Sequence, residues 1–181
     1  MRIPTLAVFG LAFAAGATPC ASALAQSSGL PVEFVAQLDD AATKLVQLAE
    51  ATPQDKYTWR PGTGVRSFSE VLMHVVGGNY FIPTFAGVKS PGELPRDAET
   101  SVTQKAQVID HLKRSFEHVR GGMRALTEAD LTKPATLFGR PTTYRDVFLT
   151  TVTHAHEHLG QLIAYARVNG VAPPWSAGPG R

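Results

Sequence analysis

The sequence predicts an all-α protein, a four-helix bundle, and three observations predict it. Four segments repeat apolar residues at the 3.6-residue helical period. Proline- and glycine-rich breakers fall between those segments. No two apolar runs are joined by hairpin turn chemistry, so no strands are expected.

The first helix is expected over residues 31–52. Phe34, Leu38, Ala41, Leu45 and Leu48 alternate four and three apart on one face, and Pro53 ends it. The second opens at Ser67, where Ser67-Phe68-Ser69-Glu70 reads as a capping box. It turns Phe68, Val71, Leu72, Val75 and Ile82 inward, with Pro83 and Gly87 as its end or kink. A Pro-, Gly- and charge-rich stretch, residues 88–100, is long enough for a crossover.

The third helix is expected over residues 102–126, with Val102, Ala106, Ile109, Leu112, Phe116, Val119 and Met123 on its apolar face. Gly121-Gly122 predicts a bend or an early end, because each glycine costs about 1 kcal/mol of helix propensity. The fourth follows Pro141, with Thr142 or Thr143 as N-cap, and runs to Asn169. Gly170 supplies the left-handed terminal residue, and Pro173-Pro174 forbids continuation. Amphipathic helices around one core give a bundle whose facing side chains can build an interior site.

Ahead of the bundle the chain carries a secretory leader. Arg2 is the basic start, residues 6–15 are almost wholly apolar, and Ala23-Leu24-Ala25 is a small-x-small cleavage site before Gln26. A lipoprotein reading would acylate Cys20, but Pro19 precedes it and no leucine stands three residues ahead. Cleavage after Ala25 leaves residues 26–181 as one domain in the periplasm or outside the cell. No apolar run approaches the ~20 residues of a spanning helix, so no membrane association is expected once the leader is gone.

The same cleavage removes the only cysteine. That excludes disulfides, thiolate nucleophiles and cysteine metal sites, and leaves histidine and carboxylate to hold any metal. Seventeen Lys and Arg face fifteen Asp and Glu without a basic cluster, which argues against a nucleic-acid partner.

Angular position decides which of the six histidines can cooperate. At about 100° per residue, His158 lies about 40° from His154, whereas His156 lies about 200° round the helix, toward solvent. A single helical histidine is ordinarily a hydrogen-bonded boundary residue. Two at i and i+4 can chelate one ion from a single helix, as in zincins, although here the glutamate is Glu157 and the zincin order is absent. His74 stands at the edge of the second helix's buried arc, and Gly78 one turn on leaves space above its ring. Glu70, one turn earlier, could orient His74 or act as a base, and equally could serve only its cap. His111 and His118 are two turns apart, too far for one ion, with His111 the better placed to line the core.

Tyr57-Thr58-Trp59-Arg60-Pro61 and the run from Gly64 to His74 resemble the opening of the second helix in the DinB-like (YfiT-like) metalloenzyme superfamily. His154-Ala155-His156-Glu157-His158-Leu159-Gly160-Gln161, with Tyr165, Arg167 and the tail from Asn169 to Pro174, is similar to that family's last helix. The resemblance implies an up-down-down-up bundle with a long second crossover. It also implies a three-histidine site, His74, His154 and His158, for a divalent zinc or nickel ion, and a homodimer through exposed helix faces.

The family's characterised activities include thiol-dependent S-transferases and a mycothiol-dependent isomerase. Export argues against a cytosolic thiol as cosubstrate and favours metal-dependent hydrolysis of a small molecule. Glu70 or Glu157 would then be base or supporting carboxylate, and Gln161 a hydrogen-bond donor to the ligand. The alternative is a non-catalytic periplasmic protein that binds metal or a small ligand. An open pocket with a carboxylate beside the metal favours the enzyme; a site sealed by apolar side chains favours the binder.

Overall fold

The computed structural model describes residues 29–92 and 94–176; the expected leader lies outside them. Four long helices form the bundle: α1 (Leu30–Ala51), α2 (Phe68–Phe81), α4 (Lys105–Arg124) and α5 (Tyr144–Val168). A one-turn helix, α3 (Ala98–Ser101), interrupts the crossover. A two-stranded antiparallel hairpin, β1 (Pro134–Leu137) and β2 (Arg140–Thr143), precedes α5.

Helices α1 and α2 each pack on both α4 and α5. Arg120 meets Asp39 while Lys105 reaches the carbonyl of Thr52, so α4 runs against α1. Asn79 meets Ser115, and Val88, just beyond α2, meets Gly122, so α2 and α4 run together. Trp59 lies against Tyr165, and Gly78 against His154, so α5 runs against α2. The topology is up-down-down-up, and α2 and α5 share a seam.

The predicted apolar stripes are buried except at the start of α4, where Val108 is buried while Ala106 is exposed and Ile109 only partly covered. Phe34, Leu38, Ala41, Leu45 and Leu48 of α1 meet Leu112, Phe116 and Val119 of α4 and Phe148 and Leu162 of α5 in one core. Each fully buried large side chain contributes roughly 1.5–3 kcal/mol. Tyr57, also fully buried, donates to the Ala49 carbonyl at 2.7 Å and fixes the link into α2.

The ends form by side-chain and backbone capping. Ser67 N–H donates to Glu70 Oε2 at 2.7 Å, and Ser67 Oγ accepts from Glu70 N–H at 3.3 Å, the reciprocal capping box. A tight 3-10 turn (Ile82–Ala86) follows α2 before left-handed Gly87 stops it. At the end of α5 the Gly170 N–H bonds the Arg167 carbonyl and the Val171 N–H the Ala166 carbonyl, a Schellman motif with Gly170 at φ 75°.

Three expectations are corrected. The third long helix begins at Lys105, not Val102, because residues 98–101 form their own turn first. Gly121-Gly122 does not interrupt it, since the helix runs on through both to Arg124; a Cβ on Gly122 would stand 2.9 Å from Val88 Cγ2, so the glycine admits the crossover against α4. The chain also does contain strands. The turn joining them is Phe138-Gly139, with φ 49° and 81°, a two-residue left-handed turn. Its first residue is not one of the usual Asn, Asp or Gly, and prolines stand in both strands, so the hairpin signal was masked.

Candidate metal centre

His74 projects from the middle of α2, and His154 and His158 from adjacent turns of α5. One nitrogen from each ring lies within 4.8 Å of the others. His74 Nε2 and His154 Nε2 are 3.2 Å apart, and the three ring centroids are separated by 5.1, 4.8 and 4.6 Å. All three rings are partly buried.

Two rings are oriented from behind. His74 Nδ1 lies 3.2 Å from Glu99 Oε2, and the other oxygen of that carboxylate accepts from Arg66 Nε at 2.6 Å. His158 Nδ1 lies 2.9 Å from Gln161 Oε1, while Gln161 Nε2 donates to the Tyr165 hydroxyl at 2.9 Å. An acceptor behind each ring holds the proton on Nδ1 and turns the Nε2 lone pair into the site. His154 Nδ1 is buried with no hydrogen-bond partner among the described residues, and the Cε1 edge of its ring stands against Gly78.

Burial comes first in the electrostatics, followed by mutual repulsion. Desolvation, then the proximity of His158, His74 and Arg66, pushes the His154 pKa down to about 4. His74 is lowered by burial, Arg66 and His158, against the opposing pull of Glu99. Both rings are therefore held neutral near pH 7, the form that ligates metal.

A divalent ion fits this set. One nitrogen from each ring faces a common point, all within 4.8 Å of one another, and His154 Nδ1 has no partner among the described residues, so nothing fixes that ring's proton and its nitrogen is free to ligate. Three imidazoles, two of them backed by acceptors, are the kind of donor set that suits borderline divalent ions. One flank is open: a cavity of about 600 Å³ is lined by His74, His154, Glu99, Glu157, Phe81 and Phe138 among others.

The other predicted residues fall as follows. Glu157 is exposed and lines the cavity. Glu70 does not orient His74: its oxygens are taken by the Ser67 cap and by Arg60 Nη2 at 2.7 Å, and the contact with His74 is made by Glu99. Gln161 does not point to a ligand; it supports His158. His156 bonds the Val152 carbonyl at 3.0 Å and faces Asp40 of α1, away from the site. Of the third-helix histidines it is His118, not His111, that stacks on Tyr80 and buries a ring nitrogen. Glu99 had no signal of its own, since its position depends on the path of the crossover.

A sequence profile described as the DinB superfamily matches residues 37–162, a span that includes all three histidines. No functionally curated protein matches the chain significantly in sequence. Among solved structures, a DinB-like protein from Bacillus cereus ATCC 10987 superposes with a TM-score of 0.70 at 20% identity, over 78% of this chain and 93% of that one. A DinB-like protein from Bacillus subtilis, YjoA, does so with a TM-score of 0.62 at 21% identity, over 76% and 92%. These two similarities concern the fold.

Proposed function

The chain belongs to the DinB superfamily, and from that premise we propose that it is an exported metalloenzyme of hydrolase type acting on a small molecule. The observation that carries this reading is the convergence of three imidazoles beside an open cavity, whose wall holds two of them, His74 and His154, together with the carboxylates of Glu99 and Glu157. A sealed apolar site would instead favour a protein that only binds.

His74, His154 and His158 would hold one zinc or nickel ion, which when bound supplies Lewis-acid polarisation of a carbonyl, phosphoryl or water oxygen. Glu99 keeps the His74 proton on Nδ1, and Gln161 does the same for His158, so both rings face inward without reorganising. Glu157, on the cavity wall, accepts the proton of an attacking water and returns it to the leaving group. Phe81, Ile82 and Phe138 supply the apolar part of the cavity's lining. Glu70 belongs to the helix cap and takes no part.

Cleavage after Ala25 would deliver the protein to the periplasm, where a cytosolic thiol cosubstrate is not supplied. Among the described residues no helix is long and apolar enough to cross a membrane. The expected partner is a small substrate, with self-association through exposed helix faces.

The test begins with metal analysis of mature protein purified without an affinity tag and reconstituted with zinc or nickel. One ion per chain is expected, and His74→Ala, His154→Ala and His158→Ala should each lose it while keeping the far-UV circular dichroism of a helical protein. Absence of metal in the reconstituted wild type overturns the centre. A metal-loaded protein inert across ester, amide and phosphoester panels would return the binding-only reading.

A further inference from the structure

The residue at the tip of the hairpin is badly placed for stability. Phe138 adopts φ 49°, left-handed backbone that is costly for a bulky residue and is usually given to Asn or Gly at this turn position. Its side chain recovers little of that cost, because Phe138 is 64% exposed while Leu137 beside it is 2% exposed. Phe81, at the end of α2, is likewise 56% exposed.

These two rings are held in place. Phe85 packs edge-on against both, with centroids 5.2 Å from Phe81 and 5.4 Å from Phe138, and Phe81 and Phe138 are 6.3 Å apart. The hairpin rests on the tight turn that contains Phe85. Phe81 and Phe138 line the same cavity as His74 and His154. Strain and exposed aromatic surface are thus gathered at the mouth of the site, where a bound group would cover them. The cavity volume, about 600 Å³, is that of a small-molecule pocket rather than a protein groove.

We propose that Phe81 and Phe138, braced by Phe85, form a specificity shelf that holds an aryl or branched alkyl group of the substrate, with its polar reacting group turned to the three histidines. The aromatic half stands on the cavity alone; the orientation rests on the proposed metal centre.

The test has two arms. In the first, metal-free mature protein is titrated with the neutral fluorophore N-phenyl-1-naphthylamine. Wild type should bind it, and Phe138→Asn and Phe81→Ala should each weaken binding at least about fivefold, the loss of one apolar contact face. Phe138→Asn should unfold at an equal or higher temperature, since Asn tolerates the turn, which separates loss of the shelf from loss of the fold. No binding by wild type, or equal affinity in both folded variants, overturns the shelf.

In the second arm, zinc-loaded wild type should bind benzohydroxamate at least about tenfold more tightly than acetohydroxamate, and Phe138→Asn should close that gap. Equal affinities in wild type overturn the proposed orientation. If wild type takes up no zinc, the metal reading fails, while the fluorophore arm still decides the shelf.

Discussion

The imidazole of His154 occupies the space a side chain would need at Gly78. A Cβ built on Gly78 would stand 2.4 Å from His154 Cε1 and 2.9 Å from His154 Nδ1. Gly78 is therefore a ligand-positioning residue that coordinates nothing. Gly78→Ala should move the ring, and metal affinity should fall at least about tenfold, in line with losses of ligand-orienting contacts. Gly77→Ala is the control, since its Cβ would meet nothing within 4 Å. It should leave affinity unchanged and add roughly 0.5–1 kcal/mol of stability from helix propensity. Competition with a chromogenic chelator and thermal unfolding measure both quantities; unaltered zinc affinity in Gly78→Ala would contradict the assignment.

Two carboxylates compete for the supporting role, and the contacts separate them. Glu99 reaches His74 Nδ1 at 3.2 Å, whereas Glu70 is tied to Ser67 and Arg60. Glu99→Ala should weaken metal binding by about 10–100-fold, the usual size of such an effect. Glu70→Ala should leave affinity intact and cost about 1 kcal/mol of folding stability through the lost cap. The reverse pattern in isothermal titration and urea unfolding would restore Glu70 to the centre.

Which parts of this could be read from the chain follows from the range of the interactions. Helix faces and caps are local, so the α1 stripe, the Ser67 capping box and the Gly170 terminus were legible from spacing and residue type. The i, i+4 pair on α5 was legible for the same reason, and His74 from the edge of its buried arc together with the family resemblance. Glu99 was not, because a carboxylate in a crossover acquires a partner only when the chain folds back. The hairpin was obscured by chemistry rather than distance: Phe138 occupies a left-handed position that local preference denies it. That departure from local rules lies at the mouth of the candidate site.

His156 lies between the two α5 ligands in sequence and could be counted among them. Its ring instead bonds the Val152 carbonyl and faces Asp40. His156→Ala should retain full metal stoichiometry, with an affinity change under about threefold, as expected of a residue outside the coordinating set. Elemental analysis of the variant beside wild type measures this. Substantial loss in that variant would mean that α5 is not a regular helix through its ligand pair.

The last prediction concerns acid stability and rests on Glu70. Burial alone would raise its pKa, but hydrogen bonds from Ser67 and the Arg60 guanidinium outweigh that effect and hold it below the ordinary carboxylate range. A group whose folded pKa is depressed stabilises the fold above its unfolded pKa, about 4.3 for glutamate. That stability is lost as the pH falls through the folded value. Glu70→Gln can still accept the Ser67 amide hydrogen bond but carries no charge toward Arg60, whose exposed side chain screens part of the ion pair. Metal-free wild type should therefore exceed Glu70→Gln by about 0.5 kcal/mol near pH 7, the scale of a solvent-screened ion pair and less than the loss in Glu70→Ala, which gives up the cap as well. The gap should stay level down to about pH 5 and then narrow as Glu70 protonates in the unfolded and finally the folded chain. Urea unfolding of both proteins at pH 7, 5 and 3 measures the gap directly. A difference that stayed constant to pH 3, or widened, would show that the carboxylate's charge contributes nothing to the cap.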